Sequence, residues 1–289
     1  APEPTARGLR GLILGVRDSV DRSGPLKRPL VGDITLTYQY PDYTGLGRRS
    51  IQGSTGEVQV LRGTRVEVSA TALMPVQRAE LVLTTPVAAE EPGADAQSGP
   101  QRIVLERRPG GRLVAAFVAL RTGSYTIEAV LADGQKAYDG ITRPVLVADD
   151  QDPKITVLRP EGEVDVSPQD TVTFAFKASD DFGLAEVSLN TSFAVGEETQ
   201  KERKVIRTSD GQETQRLPGD ARPTGMEPPS EARNWTGEYG FDLTPLGLQP
   251  KDRLVVHLQA LDNDTISGPK VASSQTIVYG MHCKLSLSL

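Results

Sequence analysis

The residues of this chain best suited to chemistry are three acidic groups. Asp149, Asp150 and Asp152 lie in the run Ala148-Asp149-Asp150-Gln151-Asp152-Pro153; Asp180 and Asp181 follow one strand-like stretch, and Asp262, Asn263 and Asp264 follow another. Calcium takes six to eight oxygen ligands from carboxylates, amides and carbonyls, often where loops converge at the end of a domain. If these loops converge, they would hold a calcium ion that stiffens the chain at the first group. The competing reading is that Asp and Asn shape turns by bonding their own backbone.

Other chemistry is poorly served. Nucleophile–base catalysis needs a base beside Ser or Cys. The two histidines are His257, inside the strand-like Leu254–Ala260, and His282 near the C-terminus. His257 reads as a solvent-face strand residue. Cys283 is the single cysteine, so no disulfide framework within the chain and no cysteine–histidine zinc set can form. No Gly-rich loop precedes a helix to cradle phosphate. With 38 acidic residues carboxylate pairs are always on offer, and none is singled out. The chain reads as a non-enzyme whose one cofactor candidate is calcium. A net charge of −6 without a long basic run argues against a nucleic-acid partner. No stretch reaches the ~18 apolar residues of a membrane span.

The elements that must position these groups are strands. At 289 residues, with 28 Gly and 21 Pro, the chain has room for two all-β domains rich in turns. From Asp33 onward apolar residues alternate, as in Ile34, Leu36, Tyr38 and Tyr40. Further strands are expected over 57–61, 64–72, 77–84, 101–107, 112–119, 124–132 and 139–147, then 184–193, 235–243, 253–261 and 270–278. A charged excursion follows 193, and 208–233 reads as a mobile loop with four prolines. Tyr125 sits where immunoglobulin-like domains often place a corner tyrosine. Trp235 fits a core alternation better than a sugar-binding platform.

The chain also repeats itself. Thr64–Ala72 leading to Ala79–Leu83 matches Asp170–Ala178 leading to Ala185–Leu189 at a constant offset of 106 residues. Val66/Val172, Val68/Phe174, Ala70/Phe176 and Ala72/Ala178 keep an apolar face in both copies. Two adjacent strands in one register imply the same sheet built twice. Under this offset Asp180 and Asp181 fall on Met74 and Pro75, so the acidic pair is not required by the fold.

The expected architecture is two tandem immunoglobulin-like (fibronectin III-like) β-sandwiches. They span 32–148 and 154–279, joined by a 149–153 linker that Pro153 stiffens. Residues 1–31 form a leader with Leu9, Leu12, Ile13, Val16 and Val20 at helical spacing among arginines, read either as a frayed leader or docked linker or as a helical, juxtamembrane amphipathic segment. The start at Ala1-Pro2-Glu3-Pro4 implies that a signal peptide or a longer N-terminus has been removed, and the 280–289 tail reads as a severed end.

Three motifs in order carry a resemblance. They are Tyr40-Pro41-Asp42-Tyr43-Thr44-Gly45-Leu46 with Gly63-Thr64-Arg65-Val66, then Ala178-Ser179-Asp180-Asp181-Phe182-Gly183-Leu184, then Asp262-Asn263-Asp264-Thr265-Ile266-Ser267-Gly268-Pro269-Lys270. The region 30–279 resembles the immunoglobulin-like periplasmic part of large membrane-anchored bacterial proteins of unknown function. That resemblance implies a periplasmic location, attached to the inner membrane through segments outside this chain, and supplies no catalytic residues. The expected role is a non-catalytic binding or spacer module with an envelope protein as partner. The alternatives are a carbohydrate- or peptidoglycan-binding module, or an accessory domain of an enzyme.

Overall fold

The computed structural model describes residues 26–86, 99–195, 198–209 and 230–282. The helical reading of the leader, residues 210–229 of the expected loop and the tail from 283 lie outside the described residues.

The first sandwich contains β1 (Leu26–Lys27), β2 (Val31–Gln39), β3 (Arg49–Ser54), β4 (Val58–Leu61), β5 (Thr64–Ala72), β6 (Val76–Thr84), β7 (Gln101–Val104), β8 (Glu106–Arg108), β9 (Arg112–Ala119), β10 (Gly123–Leu131), β11 (Lys136–Tyr138) and β12 (Arg143–Ala148). One sheet runs β3-β2-β5-β9-β8. In the other, β10 pairs with β6, which carries β7, and on its far side with β11 and β12. The second sandwich contains β13 (Lys154–Arg159), β14 (Glu163–Val166), β15 (Thr171–Ser179), β16 (Leu184–Val195), β17 (Glu198–Thr208), β18 (Asn234–Asp242), β19 (Arg253–Asp262), β20 (Val271–Ser273) and β21 (Ile277–Met281). Its sheets are β13-β15-β18 and β14-β21-β19-β16-β17, with β20 on β19.

The two topologies share one plan, with extra strands in the first. In each, a first-sheet strand (β5, β15) leads to a second-sheet strand (β6, β16) at the register of the sequence repeat. Each second sheet closes with a short parallel pair, β4 on β12 and β14 on β21. This is the immunoglobulin-like arrangement. The period-two pattern buries Val66, Val68 and Ala70 on β5 and Val172, Phe174, Phe176 and Ala178 on β15. Each sandwich has its own core: one around Leu36, Leu81, Tyr125 and Ile127, the other around Phe174, Leu189, Leu258 and Tyr279. Phe174 and Tyr279 meet edge to face at 6.0 Å.

Five expectations need correction. The single strand over 101–107 is two: β7 pairs with β6 in one sheet and β8 with β9 in the other, with buried Leu105 between them. Crossing from sheet to sheet leaves the alternation intact, so the sequence shows no break. The strand over 139–147 begins only at Arg143 as β12, with 139–142 a turn through Gly140 that follows β11, and the strand over 270–278 divides into β20 and β21. β3 escaped notice because Arg49–Ser54 buries no residue fully and so carries no alternation. The charged excursion after 193 is mostly β17, an eleven-residue edge strand paired along β16. Edge strands need no buried face, and charges on them keep other chains from pairing there.

Tyr125 is not a corner tyrosine of the usual kind. Its hydroxyl donates to the Gly56 carbonyl at 2.7 Å, sixty-nine residues upstream, rather than to backbone close by in sequence. Gly56 has φ +93°, and a Cβ there would lie 2.3 Å from Arg143 Cδ and 2.7 Å from the tyrosine oxygen. Only glycine fits. Tyr125→Phe removes the donor and leaves a buried carbonyl unpaired, so the first sandwich should lose about 1–3 kcal/mol. Urea denaturation of the wild type and the variant measures this; an unchanged midpoint would dismiss the bond as an anchor.

A second polar anchor sits beside it. The Asp139 carboxylate pairs with the Arg143 guanidinium at 2.5 Å, both side chains sealed from solvent. Asp139 also accepts the Leu30 N–H at 2.8 Å, and Arg143 donates to the carbonyls of Thr55 and Ile141. One ion pair thus ties β11, β12 and the segments preceding β2 and β4 together.

Candidate functional site

The three acidic groups meet at the junction of the two sandwiches. The chain leaves β12, passes Asp149 and Asp150, and enters β13. The β15–β16 loop brings Asp180 and Asp181, and the β19–β20 loop brings Asp262, Asn263 and Asp264.

Each loop is first organised by its own aspartates. Asp180 Oδ2 accepts the N–H groups of Phe182 and Gly183 at 2.9 and 2.8 Å. Asp264 Oδ1 accepts those of Ile266 and Ser267 at 2.7 and 3.1 Å, and Asp262 Oδ1 those of Asp264 and Lys270 at 3.2 and 2.9 Å. These are side chain-to-backbone turns of the kind that suit Asp to loops. The turn-forming reading therefore holds for these three residues, and it uses one oxygen of each.

Their other oxygens turn to the joint. Lys270 Nζ lies 3.0 Å from Asp264 Oδ2, 3.2 Å from Asp262 Oδ2 and 3.4 Å from Asp150 Oδ2. The lysine is a fifth exposed, while the three carboxylates are sealed. Burial opposes the lysine's charge, but the carboxylates outweigh it and hold its pKa above the ordinary value. Burial likewise works against ionised Asp264. The Ile266 and Ser267 N–H groups together with Lys270 prevail and keep that carboxyl below its usual range.

Asp150 fares differently. Burial, then the hydrogen-bonding contact and charge of Asp181, push its carboxyl up to about 7 against the pull of Lys270. Asp180 is also raised, mainly by burial, with backbone donors opposing.

The first sandwich contributes to the same place. Asn263 Nδ2 donates to the Tyr43 carbonyl at 3.0 Å, and the Tyr43 ring meets Phe182 edge to face at 6.1 Å. Burial raises the Tyr43 hydroxyl pKa, and the nearby charges of Asp150 and Asp264 add to it. Gly63, at φ +85°, faces Ile266; a Cβ would come within 2.8 Å of that side chain. Arg62 Nε holds Asp149 Oδ1 at 2.5 Å, and its Nη1 donates to the Leu120 carbonyl at 2.9 Å.

Of the eight residues singled out in sequence, Asp150, Asp180, Asp181, Asp262, Asn263 and Asp264 come together at this joint. Asp149 is mostly exposed and occupied by Arg62, and Asp152 is in solvent. Sequence reasoning missed the roles of Lys270, Tyr43 and Phe182. Each lies inside one of the three motifs, so the signal was present, but nothing in a linear reading says that the motifs touch. His257 takes a half-buried outward position on β19, and His282 pairs with exposed Asp165 away from the joint. Trp235 is buried at 3% exposure, with the Arg207 guanidinium over its ring. It offers no platform to a sugar.

No protein-family model and no curated protein matches the sequence. Among solved structures, the chain is similar to the fibronectin(III)-like modules of Clostridium thermocellum CbhA, at 14% identity over 79% of this chain and 92% of that one, TM-score 0.27. It is also similar to a chimeric titin Z1Z2 tandem, at 18% identity over 77% and 94%, TM-score 0.24. A third is BcpA, the major pilin subunit of Bacillus cereus, at 10% identity over 70% and 64%, TM-score 0.28. The immunoglobulin-like assignment rests on the strand order and the parallel closing pairs, not on these overlaps.

Proposed function

We propose that this chain is a non-catalytic spacer and protein-binding module in the envelope of a bacterium, held outside the cytoplasm by a membrane-anchored parent protein. The observation that carries this reading is the joint. The three motifs of the sequence converge on one buried, charge-knit contact between sandwiches. A chain whose distinctive residues fix the angle between two domains presents its outer loops at a set distance and orientation, as a spacer or docking arm requires.

The sheet edges agree with that role. β17 offers Lys201, Glu202, Arg203 and Lys204, and β8 is Glu106-Arg107-Arg108, all exposed. Charged edges resist unspecific strand pairing, so a specific partner would meet loops or sheet faces. The periplasmic location and the membrane-anchored parent come from the resemblance in sequence alone. A wall-binding module is the second reading, and buried Trp235 weighs against it.

Crosslinking pull-down with the full chain on bacterial envelope extracts, read by mass spectrometry, tests the proposal. One protein enriched reproducibly over an unrelated tandem sandwich is the expected result. Retention on isolated cell wall without a protein partner would replace the reading with the wall-binding one.

A further inference from the structure

After the turns and Lys270 have taken their share, three carboxylate oxygens at the joint remain unused. Asp150, Asp180 and Asp181 each keep Oδ1 sealed from solvent with no hydrogen-bond donor. The Asp150 side chain is 1% exposed. One oxygen from each of the three residues lies within 4.8 Å of the others. Buried carboxylate oxygens without donors are costly, and gathering three carboxylates in one place adds to the cost. The charges of Asp181 and Asp180 act on Asp150 against that of Lys270, which is already shared with Asp262 and Asp264.

Two things can relieve such a cluster: a proton shared between Asp150 and Asp181, or a cation. The proton would satisfy two residues and leave Asp180 Oδ1 unpaired. A cation satisfies all three. Three carboxylates from the protein suit calcium, which takes six to eight such oxygens, whereas magnesium keeps several waters and is usually held by one or two carboxylates. The donor set is all carboxylate oxygen, which suits a hard cation and not zinc or copper. Asn263 Oδ1, buried at the same joint, also lacks a donor.

We propose that Asp150, Asp180 and Asp181 form a divalent-cation site of the calcium class between the two sandwiches. Asp150 comes from the linker and the aspartate pair from the second sandwich, so the ion fastens the linker to the β15–β16 loop. Lys270 is the fixed cation of the joint and the metal the exchangeable one. The aligned turn of the first sandwich has Met74 and Pro75 where the second has Asp180 and Asp181, so the site belongs to the joint and not to the fold. The site stands whether the module binds a protein or acts only as a spacer.

The test uses the full chain stripped with chelator, then titrated with calcium, magnesium and terbium. Calcium at 10 mM should raise Tm by about 3–10 °C if its Kd lies near the roughly 10⁻⁴–10⁻³ M of extracellular modules, and magnesium should do less. Terbium emission excited through tyrosine should appear, since Tyr43 borders the site. Asp181→Asn and, separately, Asp150→Asn should abolish both responses. Each removes a repulsive charge, and the Trp235 emission of the stripped variants checks that they fold. A stripped wild type that responds to neither calcium nor terbium overturns the proposal. So does a response that survives in either folded variant, because the ion would then sit elsewhere.

Discussion

Asp139→Ala is expected to destabilise the first sandwich by about 3–5 kcal/mol. The carboxylate is sealed from solvent against an equally sealed Arg143, and it also takes the Leu30 N–H. Removing it strands a guanidinium in the core and leaves a backbone donor unpaired. The carbonyls of Thr55 and Ile141 and the Tyr125 ring, 5.9 Å from the guanidinium carbon, offset only part of that cost. The loss is the cost of breaking the pair, not its net worth, since a well-packed apolar substitute for both residues can be neutral. Asp139→Leu combined with Arg143→Met should therefore recover much of the stability lost in Asp139→Ala. Calorimetry resolves the effect, because the single Trp235 reports on the other sandwich and should change little. A loss under about 1 kcal/mol would mean that Arg143 finds solvent when its partner goes.

Lys270→Met is expected to weaken the joint and the second sandwich together. It leaves Asp150, Asp262 and Asp264 without the ammonium that faces all three. The lysine is about a fifth exposed, so the cost falls toward the lower end of the range for broken buried pairs, about 2–3 kcal/mol. The pH dependence has a definite sign. The folded-state pKa of Asp264 is depressed, so its contribution is present above the unfolded value near 4 and is lost as pH falls through the folded value. The gap between wild type and Lys270→Met should thus narrow below about pH 4. Trp235 emission follows the unfolding, and small-angle scattering follows the domain angle. A broader distance distribution in Lys270→Met is the expected result. A variant with unchanged stability and an unchanged scattering profile would show that the turns alone hold the joint.

The sequence by itself determined the fold. Alternation at period two, turn residues at regular spacing and a repeat without gaps specify two similar sandwiches, because a half-buried strand must place every second side chain in the core. It also picked out the acidic groups. What it lacked was a clear signal for edge strands such as β3 and β17, most of whose side chains answer to solvent rather than to a core.

Only the tertiary structure decided how the acidic groups divide their work. Asp149 and Asp150 are neighbours in the chain, yet one pairs with Arg62 near the surface and the other is sealed beside Asp180 and Asp181. Lys270 lies 120 residues from Asp150 and meets it only because the β19–β20 loop folds back on the linker. Strand pattern is a local property set by each residue's own face. The state of a charge depends on what surrounds it in space, and here that is supplied by three segments far apart in the chain.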